Sequence, residues 1–336
     1  MKDSTGYRHP YPLFERERMR GRDGKPFLAD DDLLAAANVA LALGRPLLLT
    51  GEPGCGKTDF AFAAATSLLE DRREGTEHRR PLEQYIRSET RARDLLYHYD
   101  AVRRFGDAQA GGEPGRRRAA FPQNYVSLEP LGQALVSPVR KIVLIDEIDK
   151  APRDLPNDLL RELDQGGFEI PEIPETQNAP AEDIEPRHRG LQRHMLPPSG
   201  ARKPLVIITS NVERQLPDAF LRRCIFYYIP FPSKERLGEI LDSRYPDLPV
   251  WLKTNALGLL WELRESFRLT KKPATAELLD WIGVLRTVFD PAAARQPLED
   301  ALARLGRGEP VPWRTIPALG CLVKLREDLE RLAAPA

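Results

Sequence analysis

Cysteine is scarce in this 336-residue sequence. Cys55, Cys224 and Cys321 are odd in number and far apart, which excludes a disulfide framework and a clustered zinc site. Long apolar runs are also missing: stretches such as Leu47–Thr50 and Ile142–Ile145 fall far short of the roughly 20 residues that a membrane-spanning helix needs. No charge sign dominates. Lys and Arg together number 50, as do Asp and Glu, so neither a basic coat for nucleic acid nor a polybasic membrane anchor is expected. Lysine itself is rare, 11 residues against 39 arginines, so any local basic patch is an arginine patch. Met1–Arg22 is polar and lacks the apolar segment of a signal peptide, and the expected location is the cytoplasm.

The length suits two packed domains. Residues 1–27 read as an irregular N-terminal arm, rich in Pro, Arg and Glu. A helix pattern follows the acidic run at Asp30–Asp32 and stops at Gly44. Pro46–Thr50 is a short continuous apolar run of the kind found in strands covered on both faces, and Gln84–Arg87, Ile142–Ile145, Leu205–Thr209 and Ile225–Ile229 are further strand candidates. Helical segments such as Lys57–Leu69 and Leu155–Asp164 lie between them, so the expected fold is α/β with an open parallel sheet over residues 28–232. Residues 106–123 and 171–204, rich in glycine or proline, read as long surface insertions. From Ser233 the strand signals stop. Helical patterns over 233–243, 250–267, 275–289 and 314–333 predict an all-helical domain spanning 233–336.

The most specific motif is Gly51-Glu52-Pro53-Gly54-Cys55-Gly56-Lys57-Thr58, placed between a predicted strand and a predicted helix. Glycines let backbone N–H groups curl around phosphate oxygens, and the helix N-terminus adds a positive dipole. Lys57 would reach the β- and γ-phosphates of a nucleotide, and the Thr58 hydroxyl would ligate Mg²⁺. A second motif ends the strand at Ile142–Ile145 with two carboxylates, Asp146 and Glu147. Ligands of open α/β sheets bind beyond the carboxyl ends of the strands. Asp146 therefore suits a magnesium contact and Glu147 a general base for the attacking water.

The G-E-P-G-x-G-K-T loop, the D-E-I-D-K-A-P run at 146–152 and the helix after it resemble the AAA+ ATPases, and within them the MoxR-like branch. The resemblance spans about residues 25–290. It implies a P-loop NTPase sheet of order 5-1-4-3-2 with a C-terminal helical lid, and an ATP- and Mg²⁺-dependent hydrolase that forms a homo-oligomeric ring, typically a hexamer. Such proteins remodel a protein client, often beside a von Willebrand A-type partner. Asn211, closing the strand Leu205–Thr209, is similar to the family's sensor-1 residue. Leu216–Cys224 looks like the segment that presents an arginine finger to the neighbouring subunit, with Arg223 at the finger position and Arg222 as the alternative. Lys271 and Lys272 stand near the family's sensor-2 position, where many relatives carry an arginine slightly further on and this chain has Ala274.

Other candidates carry less. Cys55 could gain acidity from the helix terminus, but a small residue in a small slot explains it as well. His188 and His194 show no convincing ligand spacing. Arg91, Arg93, Arg103, Arg104 and Arg116–Arg118 are interleaved with Tyr97, Tyr99 and Phe105. That composition can grip nucleic acid but equally serves a subunit contact. Beside a chaperone-type ATPase, two alternatives follow: a slow ATP-dependent switch in a signalling or defence complex, and a nucleic-acid-dependent motor subunit. The motor would need a DNA-reading domain that the sequence does not display.

Overall fold

A computed structural model describes residues 14–68, 80–175, 182–211, 214–267, 269–289 and 291–333. Its centre is a five-stranded sheet: β1 (Leu47–Gly51), β2 (Leu82–Tyr85), β3 (Ile142–Asp146), β4 (Leu205–Ser210) and β5 (Ile225–Ile229). Their spatial order is 5-1-4-3-2, as the resemblance implies. β1 runs parallel to β4 with Leu47 opposite Ile207 and Thr50 opposite Ser210. β3 runs parallel to β4 with Ile145 opposite Ile208, and β2 parallel to β3 with Tyr85 opposite Asp146. Leu47, Leu48, Leu49 and Ile208 are fully buried, each stabilising the fold by about 1.5–3 kcal/mol. Continuous apolar runs are what a strand covered on both faces requires.

The chain packs as two compact units. One carries Ala29–Thr50 and Ala61–Tyr227 with the stretch up to Met19; the other carries Arg20–Leu28, Gly51–Phe60 and Tyr228–Ala336. In the first unit, α1 (Asp31–Leu43) is stopped by Gly44 in the left-handed region, and α2 (Lys57–Ser67) begins in the other unit and continues into this one. Phe14 bridges Leu68, and Glu15 N–H donates to the Ser67 carbonyl. Of the predicted arm, 1–13 lie outside the described residues.

The 106–123 stretch is not a loop. It forms α3 (Ala101–Ala110) and α4 (Gly112–Ala119), packed side by side. The Asp100 carboxylate caps α3 by accepting from Arg103 N–H at 2.8 Å. Cβ atoms at Gly111 and Gly115 would lie 2.5 Å and 2.7 Å from the Asp107 carbonyl oxygen. These glycines therefore permit close approach of two helices, where the sequence reads them as loop formers. Further on come α5 (Pro130–Leu135), α6 (Leu155–Gln165) and the short α7 (Asp218–Leu221). Within 171–204, buried Ile173 and His188 pack inward, and His194–Met195 pairs with Phe168–Glu169. Asn124, fully buried, ties the two insertions together: its Nδ2 donates to the Asp183 carbonyl at 2.9 Å, and its Oδ1 accepts from Glu185 N–H at 2.9 Å.

The second unit holds α8 (Lys234–Arg244), α9 (Val250–Glu265), α10 (Thr275–Thr287), α11 (Pro291–Gly306) and α12 (Arg326–Ala333) around fully buried Trp281. The indole N–H of Trp281 donates to the Pro317 carbonyl at 2.8 Å. The helix expected over 314–333 is instead two 3-10 turns and α12. Among the described residues no helix is long and apolar enough to cross a membrane.

Candidate functional site

The loop after β1 has the shape its glycines dictate. Gly51, Gly54 and Gly56 take φ of 149°, 76° and 94°, values that residues with a Cβ rarely adopt. A Cβ on Gly51 would sit 2.6 Å from the Ile229 carbonyl oxygen, and one on Gly54 3.1 Å from Glu277 Oε2. Pro53 is exposed on the outer bend. Lys57 opens α2 and is buried, and its Nζ donates to the carbonyls of Gly51 and Glu52, both at 2.9 Å. Thr58 follows it in the first turn of α2. Burial pushes the Cys55 thiol up, against the lowering charge of Lys57, so Cys55 is not an activated nucleophile.

At the carboxyl edge of the sheet a separate group assembles around Thr209, which is 1% exposed. Its hydroxyl donates to Asp146 Oδ1 and accepts from Glu147 N–H at 2.9 Å. Glu147 takes φ 57°, and the only other described residue with a Cβ at positive φ is Ala318. Such a conformation costs about 1–3 kcal/mol and persists only where the surroundings hold it. The holds are visible: besides Thr209, Asn211 Nδ2 donates to Glu147 Oε1 at 3.4 Å, and Lys150 Nζ donates to Oε2 at 2.5 Å. Asn211 is itself fixed by its N–H, which donates to Asp149 Oδ1 at 3.4 Å. Asp146, Glu147 and Asn211 are thus brought together, with Thr209 as the link that sequence reasoning missed.

Arg222 and Arg223 lie just after α7, both exposed, and neither has an ion-pair partner among the described residues. Lys271 and Lys272 are exposed as well. Among the described residues of the helical region, Arg264 touches the phosphate loop: its Nη2 donates to Glu52 Oε2 at 2.9 Å. Residues 20–28 also reach the loop, with the Phe27 ring 3.4 Å from where a Gly56 Cβ would stand and 6.1 Å from the Phe60 ring. Phe27 is the lone aromatic of its polar stretch, and that contrast is its only signal in the sequence.

A profile of the AAA domain, dynein-related subfamily, matches residues 46–224, more than half of the chain. The chain belongs to this AAA family. Among solved structures it is similar to the FIGL-1 AAA domain in complex with ADP, at 18% identity over 78% of this chain and 64% of that one, with a TM-score of 0.33. It is similar also to Hsp104 with ATPγS and FITC casein, at 17% identity over 82% and 45%, TM-score 0.42, and to katanin, at 16% over 85% and 82%, TM-score 0.36. It therefore spans less than two thirds of the first two chains. Identities this low, at these scores, leave the family match to carry the assignment. No curated protein matches the chain.

Thr50 is level with Ser210, the residue after Thr209, and the phosphate loop continues directly from Thr50. The Thr58 hydroxyl and the Asp146 carboxylate, the latter held in place by Thr209, are hard oxygen donors of the kind Mg²⁺ takes beside water and phosphate. Part of the arginine-rich stretch is engaged in local pairs, while Arg91, Arg116 and Arg117 are exposed. Arg93 pairs with Glu172, Arg103 and Arg118 pair with Glu185, and Arg104 donates to Tyr99 and to the Ala119 carbonyl.

Proposed function

We propose that this AAA domain binds ATP on the 51–58 loop and hydrolyses it. In this reading the loop N–H groups and Lys57 hold the phosphates, and Thr58 and Asp146 hold Mg²⁺, which offsets phosphate charge when bound. Glu147 accepts the proton of the attacking water while Asn211 orients it. The observation that carries the reading is Glu147 itself: a carboxylate kept in a costly left-handed conformation by Thr209, Asn211 and Lys150, at the strand edge from which the phosphate loop departs. Backbone strain of this kind clusters at active sites.

The finer role follows from the same residues. Exposed Arg223, with Arg222 as the alternative, suits an arginine finger acting on the nucleotide of a neighbouring subunit in a ring. The MoxR-like resemblance suits a ring, typically hexameric, that works on a protein client or a von Willebrand A-type partner, with the two insertions as docking surfaces. Arrangement of the chain as arm, nucleotide-binding core and helical lid belongs to this proposal.

Glu147→Gln tests the catalytic assignment. The amide keeps shape and hydrogen bonding but cannot take a proton, so ATP should still bind while turnover stops. Parent-like hydrolysis by Glu147→Gln would mean that another residue is the base.

A further inference from the structure

Arg264 is the least accessible charged group near the phosphate loop, with its side chain 5% exposed on α9. Three contacts hold its guanidinium. Nη2 donates to Glu52 Oε2 at 2.9 Å, Nη1 donates to the Pro273 carbonyl at 2.7 Å, and the group lies 3.4 Å over the Phe231 ring. Glu52 is also where Lys57 rests, because the Glu52 carbonyl accepts from Lys57 Nζ. One loop residue therefore carries the lysine on its backbone and the arginine on its side chain. The segment bearing Pro273 is anchored in turn: fully buried Asp328 on α12 accepts from Thr270 N–H at 2.8 Å and Lys271 N–H at 3.1 Å. Next along the chain, Ala276 N–H donates to the Gly54 carbonyl at 3.2 Å.

We infer that Arg264 is a positioning residue for the phosphate loop, acting through Glu52, and that it makes the loop's state known to the helices of its own unit. The inference rests on the nucleotide reading above. A buried guanidinium is costly unless it is paired, so Arg264 holds Glu52 where the pairing is best and thereby sets the bend between Gly51 and Gly54. Phosphate drawing Lys57 Nζ away removes one of three hydrogen bonds on Glu52 and leaves only the longer one from Cys55 N–H, at 3.3 Å, on its carbonyl. The ion pair to Arg264 then becomes the main restraint on that residue, and any shift of Glu52 is passed to Pro273 through the same guanidinium. A cation that only packs α9 against its neighbours would leave nucleotide affinity untouched.

The test is a double-mutant cycle in the full chain. Glu52→Gln, Arg264→Gln and the pair together are titrated with ATP by calorimetry, beside Arg264→Lys and thermal melts without nucleotide. Glu52→Gln keeps an amide oxygen that can accept from Arg264, so it should fold, melt below the parent because a buried guanidinium loses its counter-charge, and bind ATP about tenfold more weakly. The double variant should bind no more weakly than the weaker single one, and Arg264→Lys should recover part of the loss. Should Arg264→Gln fail to fold, Glu52→Gln decides alone. Parent-like affinity in Glu52→Gln, or losses that multiply in the double variant, overturns the inference. Where the parent binds ATP and Lys57→Ala does not, that result leaves the nucleotide reading standing; a parent that binds no ATP overturns both.

Discussion

Thr209→Val removes one oxygen and keeps the shape, at a position that is 1% exposed. Two bonds vanish with it, the donation to Asp146 and the acceptance from Glu147 N–H. The apolar replacement leaves the Glu147 N–H without its partner, which costs about 1–3 kcal/mol for a buried group. Glu147 can lower that cost by leaving φ 57°, a move that also releases strain of about 1–3 kcal/mol. Both effects pull the same way, toward a carboxylate that no longer points where Asn211 holds it. If that loss is felt wholly in the transition state, 1–3 kcal/mol corresponds to roughly a 5- to 150-fold fall in kcat. ATP affinity measured without Mg²⁺ should change little, since no loop residue is touched, whereas the release of Asp146 bears on the Mg²⁺-dependent part. The assay is steady-state ATP hydrolysis together with an equilibrium ATP titration on the same preparation. Parent-like kcat in a folded Thr209→Val chain would refute the argument that this hydroxyl positions the base. Loss of affinity with kcat retained would equally show that Thr209 serves the loop and not Glu147.

Two further outcomes are expected. Burial is the largest influence on Asp328 and pushes its carboxyl up, but the N–H groups of Thr270 and Lys271, the Thr270 hydroxyl and the Arg331 charge together hold it below its ordinary value. Its contribution to stability is therefore complete above about pH 4, the range of an unfolded carboxyl, and is lost as pH falls through the lower folded value. Asp328→Asn should lower the melting temperature at pH 7, with the gap to the parent closing below about pH 4; an equal gap at all pH values would contradict this. Arg223→Ala should bind ATP normally and hydrolyse it poorly, and mixing it with Glu147→Gln chains should restore activity at intermediate ratios if Arg223 serves a neighbouring subunit. A flat, inactive line across all ratios, with mixed oligomers confirmed by mass, would remove Arg223 from that role.

Three central strands were legible because they are unbroken apolar runs, Leu47–Leu49, Ile142–Ile145 and Leu205–Ile208, whereas β2 carries Glu83 and Gln84 and lies at Leu82–Tyr85, two residues before the expected Gln84–Arg87. The phosphate loop was legible because only glycine tolerates φ at its bends. Other parts failed for physical reasons. Gly111 and Gly115 signal a break in a single chain but a close crossing in a helix pair, and sequence does not distinguish the two. α11 was overlooked because Pro297 lies inside it, where a proline costs a backbone hydrogen bond. Thr209 looked like one more residue of a buried strand, since its role depends on Asp146 and Glu147, which lie more than 60 positions away. Arg264 was harder still. Charged residues on amphipathic helices are mostly solvated, and its partner Glu52 is 212 positions distant.

Lys57 gives the most direct test of the central claim. Its ammonium is the buried cation at the start of α2, resting on the carbonyls of the loop it would share with a phosphate. Lys57→Ala removes the charge and leaves the glycine bends in place. Calorimetric titration with ATP in the presence of Mg²⁺ should show binding by the parent and its loss or strong weakening in Lys57→Ala. Equal ATP affinity in the two chains would contradict the assignment of residues 51–58 as the nucleotide-binding loop.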